Sequence, residues 1–288
     1  MDKIIVIIGP TGSGKTKLAV KIAKDFNGEI INADAFQVYK EISIGTSKAT
    51  SEEMNGIKFY LNGSISIYEP WDIKIFQEEA KKIISCIIKN KKTPIIVGGS
   101  NLYIDALIYN YDLSAPARDD KYESMSCEIL YELLKNKDSA IAETVDKENK
   151  RRLVRALQII DSGKPFRHKQ EIIYDTMFVY SYVDKDLLYK KINANVDKMI
   201  NNGWKDEIQK LYRHDKSISR LNAFKAIGYL DILDSILINK KIDVDKIKQK
   251  TKQYAKRQLT WIKYHYLNPF IYTSNNYDTL TEKIKSFL

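Results

Sequence analysis

Residues 3–16 read Lys3-Ile4-Ile5-Val6-Ile7-Ile8-Gly9-Pro10-Thr11-Gly12-Ser13-Gly14-Lys15-Thr16. The β-branched run 3–8 predicts a fully buried strand, and the pattern after residue 16 predicts a helix over 17–26. Between them, Gly9-x4-Gly14-Lys15-Thr16 is a phosphate-loop pattern in the strand-to-helix setting its chemistry requires. Glycines let successive backbone N–H groups turn toward phosphate oxygens, and the following helix adds the positive end of its dipole. Lys15 can reach terminal phosphates, and the Thr16 hydroxyl suits Mg²⁺. Gly9, Thr11, Gly12, Ser13, Gly14, Lys15 and Thr16 are therefore the candidate binding residues for a di- or triphosphate, with Thr16 as the metal contact.

Working outward, residues 29–32 predict a second buried strand, closely followed by Asp34. Residues 57–67 read as extended pieces joined at Asn62-Gly63, which predicts a hairpin. Residues 73–90 carry helical periodicity, with Phe76, Ala80, Ile83, Ile84 and Ile87 on one face, and 93–97 predict a third strand ending in Gly98-Gly99. Strands alternating with helices imply a parallel sheet with crossovers. The pattern changes at Ser114 to Arg118. From 119 to 160 it is helical and highly charged, ending at Ser162-Gly163-Lys164-Pro165. A strand is expected at 177–183, helices from 186 to 263, and a last extended piece at 270–273. The expected fold class is α/β: a P-loop NTPase-like parallel sheet flanked by helices, with a helical insertion domain. The expected domains are a core in two parts, 1–113 and 174–288, interrupted by an insertion at 114–173.

A chain of 288 residues with 44% hydrophobic and 29% charged residues is globular in composition, not disordered or fibrous. Its apolar runs, such as 4–8 and 94–97, fall far short of the about 20 residues a membrane-spanning helix needs. The amino end has no signal-peptide pattern. Two cysteines and three scattered histidines offer neither a disulfide framework nor zinc spacing. A reducing cytoplasm is expected, with Cys86 and Cys127 as small apolar fillers. Lys and Arg outnumber Asp and Glu by 47 to 37, which favours a polyanionic partner such as nucleic acid.

NTPases usually hold Mg²⁺ with an additional aspartate at a strand end. The strand at 93–97 ends instead in Gly98-Gly99-Ser100, without an acid. The one carboxylate well placed after a core strand is Asp34, as metal ligand, as general base near the phosphates, or as a turn or helix cap.

With these residues assembled, the chain resembles the tRNA dimethylallyltransferases, also called tRNA isopentenyltransferases. The resemblance rests on the phosphate loop, on Asn32-Ala33-Asp34-Ala35-Phe36-Gln37-Val38-Tyr39 followed by Ile44-Gly45-Thr46-Ser47-Lys48, and on residues 94–103. It continues through the basic stretch with Arg152 and Arg155, through Ala226-Ile227-Gly228-Tyr229, and through Tyr254-Ala255-Lys256-Arg257-Gln258-Leu259-Thr260-Trp261. It covers nearly the whole chain in the family's order. It implies transfer of a dimethylallyl group from dimethylallyl diphosphate to N6 of the adenosine 3′ of a tRNA anticodon, position 37, with Mg²⁺ and release of diphosphate. Asp34, Lys15 and Thr16 would be catalytic, with Asp34 as the base. Asp34, Ala35, Phe36, Gln37, Ser100, Arg151, Arg152, Arg155, Lys225, Gly228, Tyr229, Lys256 and Arg257 would meet the tRNA. The expected state is a monomer, with no membrane partner. No Walker B acid is then needed, because the loop holds a diphosphate leaving group and splits no γ-phosphate.

The sequence departs from the family at several places. Ala35 stands where a Ser is usual, Ser100-Asn101 where Thr-Gly is usual, and Phe59-Tyr60 where His-His is usual. Asn195 stands where an Arg is expected on the diphosphate, with Lys190 or Lys191 as possible substitutes. In the helix at 245–263, Ile247, Thr251, Tyr254, Gln258 and Trp261 fall at core spacing, and Lys248, Lys252, Lys256 and Lys263 line a neighbouring face. His168, His214 and His265 read as surface or structural residues. Three other functions remain open on sequence: an ATP-dependent small-molecule kinase, an RNA-binding relative with weakened catalysis, and a free-nucleotide prenyltransferase.

Overall fold

A computed structural model describes residues 1–113, 120–163, 171–266 and 268–288. The chain forms two compact units, one of Met1–Tyr109 with Ile172–Leu288, the other Asn110–Glu171. The expected boundary at Ser114 to Arg118, the Lys164-Pro165 ending and His168 lie outside the described residues.

The larger unit opens with β1 (Asp2–Ile8), α1 (Lys15–Asp25), β2 (Gly28–Asn32) and the short α2 (Ser51–Met54). It continues with β3 (Phe59–Tyr60), α3 (Ile73–Lys89), β4 (Thr93–Val97) and α4 (Asn101–Ile108). The second unit contains α5 (Cys127–Lys137), α6 (Ser139–Thr144) and α7 (Lys150–Asp161). The chain then returns as β5 (Tyr174–Ser181), α8 (Lys185–Asn201), α9 (Trp204–His214), α10 (Tyr229–Leu237), α11 (Val244–His265), β6 (Phe270–Tyr272) and α12 (Tyr277–Phe287).

The sheet is parallel throughout, in the order β3-β2-β4-β1-β5-β6, as the alternation of strands and helices requires. Residues 4–8 of β1 are fully buried because helices cover both faces of the sheet. Ile4, Val6 and Ile8 pack with Ile31 and Ile96 toward α3, α9, α10 and α11, whereas Ile5 and Ile7 pack with Ile30, Ile95 and Val97 toward α1 and α12. Register Ile5↔Ile95 and Ile7↔Val97 brings the carboxyl ends of β1 and β4 together, and Asn32↔Val97 adds β2. Ligands of such sheets bind at those ends. The α/β parallel-sheet fold is the one expected.

The hairpin expected at Asn62-Gly63 does not form. Leu61 and Gly63 both turn through the left-handed region, but β3 pairs parallel with β2, and Ile65 bridges parallel to Tyr39. An Asn-Gly turn reverses the chain without choosing the strand's partner, and the buried edge of β2 is the better partner here. Cys86 also departs from expectation. It is exposed on the outer face of α3 and fills no core space. In the smaller unit, Lys121, Lys137 and the Tyr122 hydroxyl converge on Asp161, and they hold its carboxyl well below the usual range.

Candidate active site

The phosphate loop runs from Gly9 to Gly14, and α1 starts at Lys15. Gly12 has φ +80, and a Cβ there would meet Ile192 of α8 at 3.3 Å. Its lack of a side chain therefore serves both the turn and the close approach of α8. The Lys15 ammonium folds back to donate to Pro10 O at 2.8 Å, and burial lowers its pKa to about 8 against a smaller opposing pull from Asp34. This cation is poorly solvated, which favours pairing with an incoming phosphate.

Two cavities meet at this loop. A polar one of about 280 Å³ is lined by Gly14, Lys15, Thr16, Lys17, Asn32, Gln37, Gly98, Gly99 and Gln258 among others. A more apolar one of about 300 Å³ is walled by Phe36, Ile192, Val196, Met199, Trp204, Ala226 and Ile227, with Lys225 and Arg257 also lining it. Thr11, Gly12, Asp34, Thr46, Ser47, Asn195 and Tyr254 belong to both.

Asp34 thus sits at the junction. Its Oδ1 accepts the backbone N–H groups of Phe36 at 2.9 Å and Gln37 at 3.2 Å, so the capping role weighed from sequence is real. Burial raises its pKa, and the turn hydrogen bonds and Lys15 only partly oppose that shift. A carboxylate so placed combines a fixed orientation with raised basicity.

For Mg²⁺, the polar cavity offers the Thr16 hydroxyl and the Asp34 carboxylate, with Glu53 also on its wall. Among the described residues no three His, Cys, Asp or Glu side chains gather as a metal cage. Mg²⁺ often takes one or two carboxylates and completes its shell with substrate phosphates and water. These residues therefore fit an ion that arrives with a diphosphate.

Gly9 and Ser13 lie within the loop, buried and off the walls of both cavities. The Ala35 N–H donates to Ser100 Oγ at 3.0 Å, and Gln37 Nε2 donates to Thr46 O at 2.9 Å, so both stiffen the strand-end loops. Lys256 is exposed on α11 and borders neither cavity. Arg151, Arg152 and Arg155 are on α7 of the smaller unit. Asn195 Nδ2 donates to Ser47 Oγ at 2.9 Å in the shared wall. Lys190 and Lys191 border neither of these two cavities, but Lys191 lines an adjoining one with Gly12, Gly14, Ser47 and Asn195, one helical turn from Asn195 on the loop side. The cations on the two cavities are Lys15, Lys17, Lys225 and Arg257.

Gly228 and Tyr229 are corrected by their burial. Tyr229 is 0% exposed and cannot touch an RNA. Its hydroxyl donates to Glu207 Oε1 at 2.7 Å, while Glu207 Oε2 accepts Ser43 N–H at 2.8 Å and Ile44 N–H at 2.9 Å, supporting the 43–47 wall from behind. At Gly228, with φ +89, a Cβ would lie 2.3 Å from the Trp204 ring.

Sequence reasoning missed Trp204, whose indole fits only because Gly45 and Gly228 lack side chains; no local signal marks such a pairing. It also missed Asp105, fully buried on α4, which accepts from Trp261 Nε1 at 2.9 Å and lies 3.0 Å from His265 Nδ1. Gln258 is buried, as its core spacing predicts, and it also ties α11 to the phosphate loop, a role the spacing did not show. A lone glutamine on an apolar helix stripe was the available signal.

The sequence profile of the IPP transferase family matches residues 37–265. A tRNA dimethylallyltransferase of Malacoplasma penetrans is 42% identical, spanning 99% of this chain and 98% of its own length. The crystal structure of a tRNA delta(2)-isopentenylpyrophosphate transferase from Staphylococcus epidermidis superposes with a TM-score of 0.74 at 33% identity, covering 99% of each chain. A eukaryotic dimethylallyltransferase seen in crystallographic snapshots acting on tRNA superposes with a TM-score of 0.81 at 30% identity, over 91% of this chain and 70% of that one.

Proposed function

This chain belongs to the IPP transferase family and is a tRNA-modifying prenyltransferase, and we propose that it moves a dimethylallyl group from dimethylallyl diphosphate to N6 of the adenosine 3′-adjacent to the anticodon, position 37. The observation that carries the detail is the shared wall: one carboxylate, Asp34, borders both a phosphate-loop cavity and an apolar cavity. The diphosphate lies in the polar cavity against the loop amides, Lys15 and Thr16, and the adenine and prenyl group occupy the apolar one.

The adenine N6 lone pair is delocalised into its ring, so N6 attacks well only as its proton leaves. Asp34 takes that proton, an effect typically worth about 10²–10⁴-fold in rate. The N6–C bond forms as the allylic C–O bond breaks, and the diphosphate departs with the bonding electrons. Charge develops mainly on that leaving group, where fixed N–H dipoles and Lys15 act most strongly. Thr16, with Asp34 nearby, would hold Mg²⁺, which supplies further charge neutralisation at the diphosphate. Reaching N6 requires unstacking one base, which costs a few kcal/mol and is cheapest in a single-stranded loop.

The protein acts as a monomer, in the cytoplasm where its tRNA is found. No described helix is long and apolar enough to cross a membrane. The kinase, free-nucleotide and non-catalytic readings gain no support from the site or the relatives. The test is mass analysis of tRNA nucleosides after incubation with the purified protein and dimethylallyl diphosphate. One N6-dimethylallyl adenosine per susceptible tRNA is expected, and its absence at saturating donor overturns the proposal.

A further inference from the structure

Half the lysines of α11 are neutralised within the fold. Lys246 and Lys250 pair with Asp231 at 3.2 and 2.6 Å, and Lys248, expected on an open basic face, pairs with Asp197 at 2.6 Å. Lys252, Lys256 and Lys263 have no ion pair among the described residues. They lie toward the start of α8, where a cleft of about 310 Å³ is lined by Lys185, Tyr189, Lys256, Leu259, Thr260 and Lys263. Tyr189 and Leu259 form its apolar floor, packed on the small core of Leu188, Ile192 and Ala255 between the two helices. The ammonium groups of Lys185 and Lys252 flank the Tyr189 ring, 5.9 and 5.8 Å from its centroid. The nearest acids in sequence are Asp184, the N-cap of α8, which is occupied capping the Asp186 and Leu187 amides, and Asp186 in the first turn.

The cleft continues the seam that holds the apolar cavity. Ile192, Asn195 and Val196 of α8, with Thr251, Tyr254 and Arg257 of α11, line that cavity. The same helices, followed from Asn195 back to Tyr189 and from Arg257 on to Lys263, line the cleft. At 1.5 Å per residue that is about 9 Å along either helix. An aromatic floor with unpaired cations at its rim is how proteins hold single-stranded nucleotides, the ring stacking a base and the cations meeting phosphates.

We propose that this cleft between α8 and α11 is a second nucleotide subsite, taking a base of the tRNA substrate other than the one alkylated, with Tyr189 as its stacking platform and Lys185, Lys252, Lys256 and Lys263 on the flanking phosphates. The assignment rests on tRNA being the substrate, but its test is read in binding and is independent of prenyl transfer.

The experiment measures the tRNA dissociation constant of the full chain and its salt dependence. Loss of a stacked base costs on the order of tenfold in affinity. Tyr189→Leu, which keeps the floor filled, is therefore expected to weaken tRNA binding about tenfold, and Tyr189→Phe to restore it. The exposed double variant Lys185→Ala/Lys263→Ala is expected to flatten the slope of log K against log salt by about 1.4, near 0.7 per phosphate contact. The KM for dimethylallyl diphosphate and kcat at saturating tRNA stay unchanged in all three. Unaltered tRNA affinity in Tyr189→Leu, or an unaltered salt slope in the double variant, overturns the subsite. A parent protein that binds tRNA yet makes no prenylated nucleoside fails the catalytic reading alone.

Discussion

Gln258 Oε1 accepts the backbone N–H of Thr11 at 2.8 Å, while its Nε2 donates to Gly99 O, also at 2.8 Å. One buried amide thus joins α11, the phosphate loop and the end of β4, and its orientation is fixed because one partner is a donor and the other an acceptor. Its sequence neighbour Arg257 lines the apolar cavity, so the helix that carries this cavity-lining cation also sets the loop.

Replacing Gln258 with Leu leaves the partly buried Thr11 N–H without its protein partner, whereas Gly99 O keeps the Tyr254 hydroxyl at 3.1 Å. A stability loss of about 1–3 kcal/mol is expected, together with a raised KM for dimethylallyl diphosphate and little change in tRNA affinity. Thermal melts and steady-state kinetics check both parts.

The pH profile follows from the two shifted groups. Burial raises the Asp34 pKa, so the base is lost as pH falls through that raised value. Lys15 has its pKa lowered to about 8, so the cation is lost as pH rises through it. A plot of kcat/KM for dimethylallyl diphosphate against pH is therefore bell-shaped, with its alkaline limb near 8. In Lys15→Arg, a guanidinium that stays charged, the alkaline limb disappears even if the maximum is lower. A limb that survives in the variant assigns it to another group.

Asn195 occupies the shared wall where an Arg would reach both cavities. Asn195→Arg is expected to lower the KM for dimethylallyl diphosphate, with turnover unchanged or faster, since a bidentate cation suits a diphosphate. Slower turnover with a raised KM would mean that the Asn195–Ser47 hydrogen bond matters more than the added charge.

Gly228→Ala puts a Cβ against Trp204 in a left-handed backbone conformation. Strain and overpacking together predict a loss of about 2–4 kcal/mol, read in denaturant titrations. An unshifted midpoint would show that Trp204 can move, and with it the apolar cavity wall.

Much of this architecture is legible in the sequence because buried parallel strands and phosphate loops carry local signatures. The run at 4–8, the loop at 9–16 and the stripe from Phe76 to Ile87 each state their role within a few residues. What stays hidden depends on partners far along the chain. Asn62-Gly63 announces a turn, but whether Phe59 and Tyr60 pair forward or back is set by β2. Tyr229 sits in a stretch that resembles a site motif, yet only packing shows that it acts through Glu207. Trp204 needs two glycines, 159 positions before it and 24 after. Asp34 lay between these cases: its place after a core strand marked it, and the structure shows it both capping a turn and bordering the two cavities.

The most direct test compares the parent protein with Asp34→Asn, which keeps an oxygen for the Phe36 and Gln37 amides but cannot take a proton. Nucleoside mass analysis after incubation with tRNA and dimethylallyl diphosphate should show N6-dimethylallyl adenosine from the parent and a loss of at least about 10²-fold in the variant, with tRNA binding retained. Product from Asp34→Asn at the parent's rate would rule out Asp34 as the base.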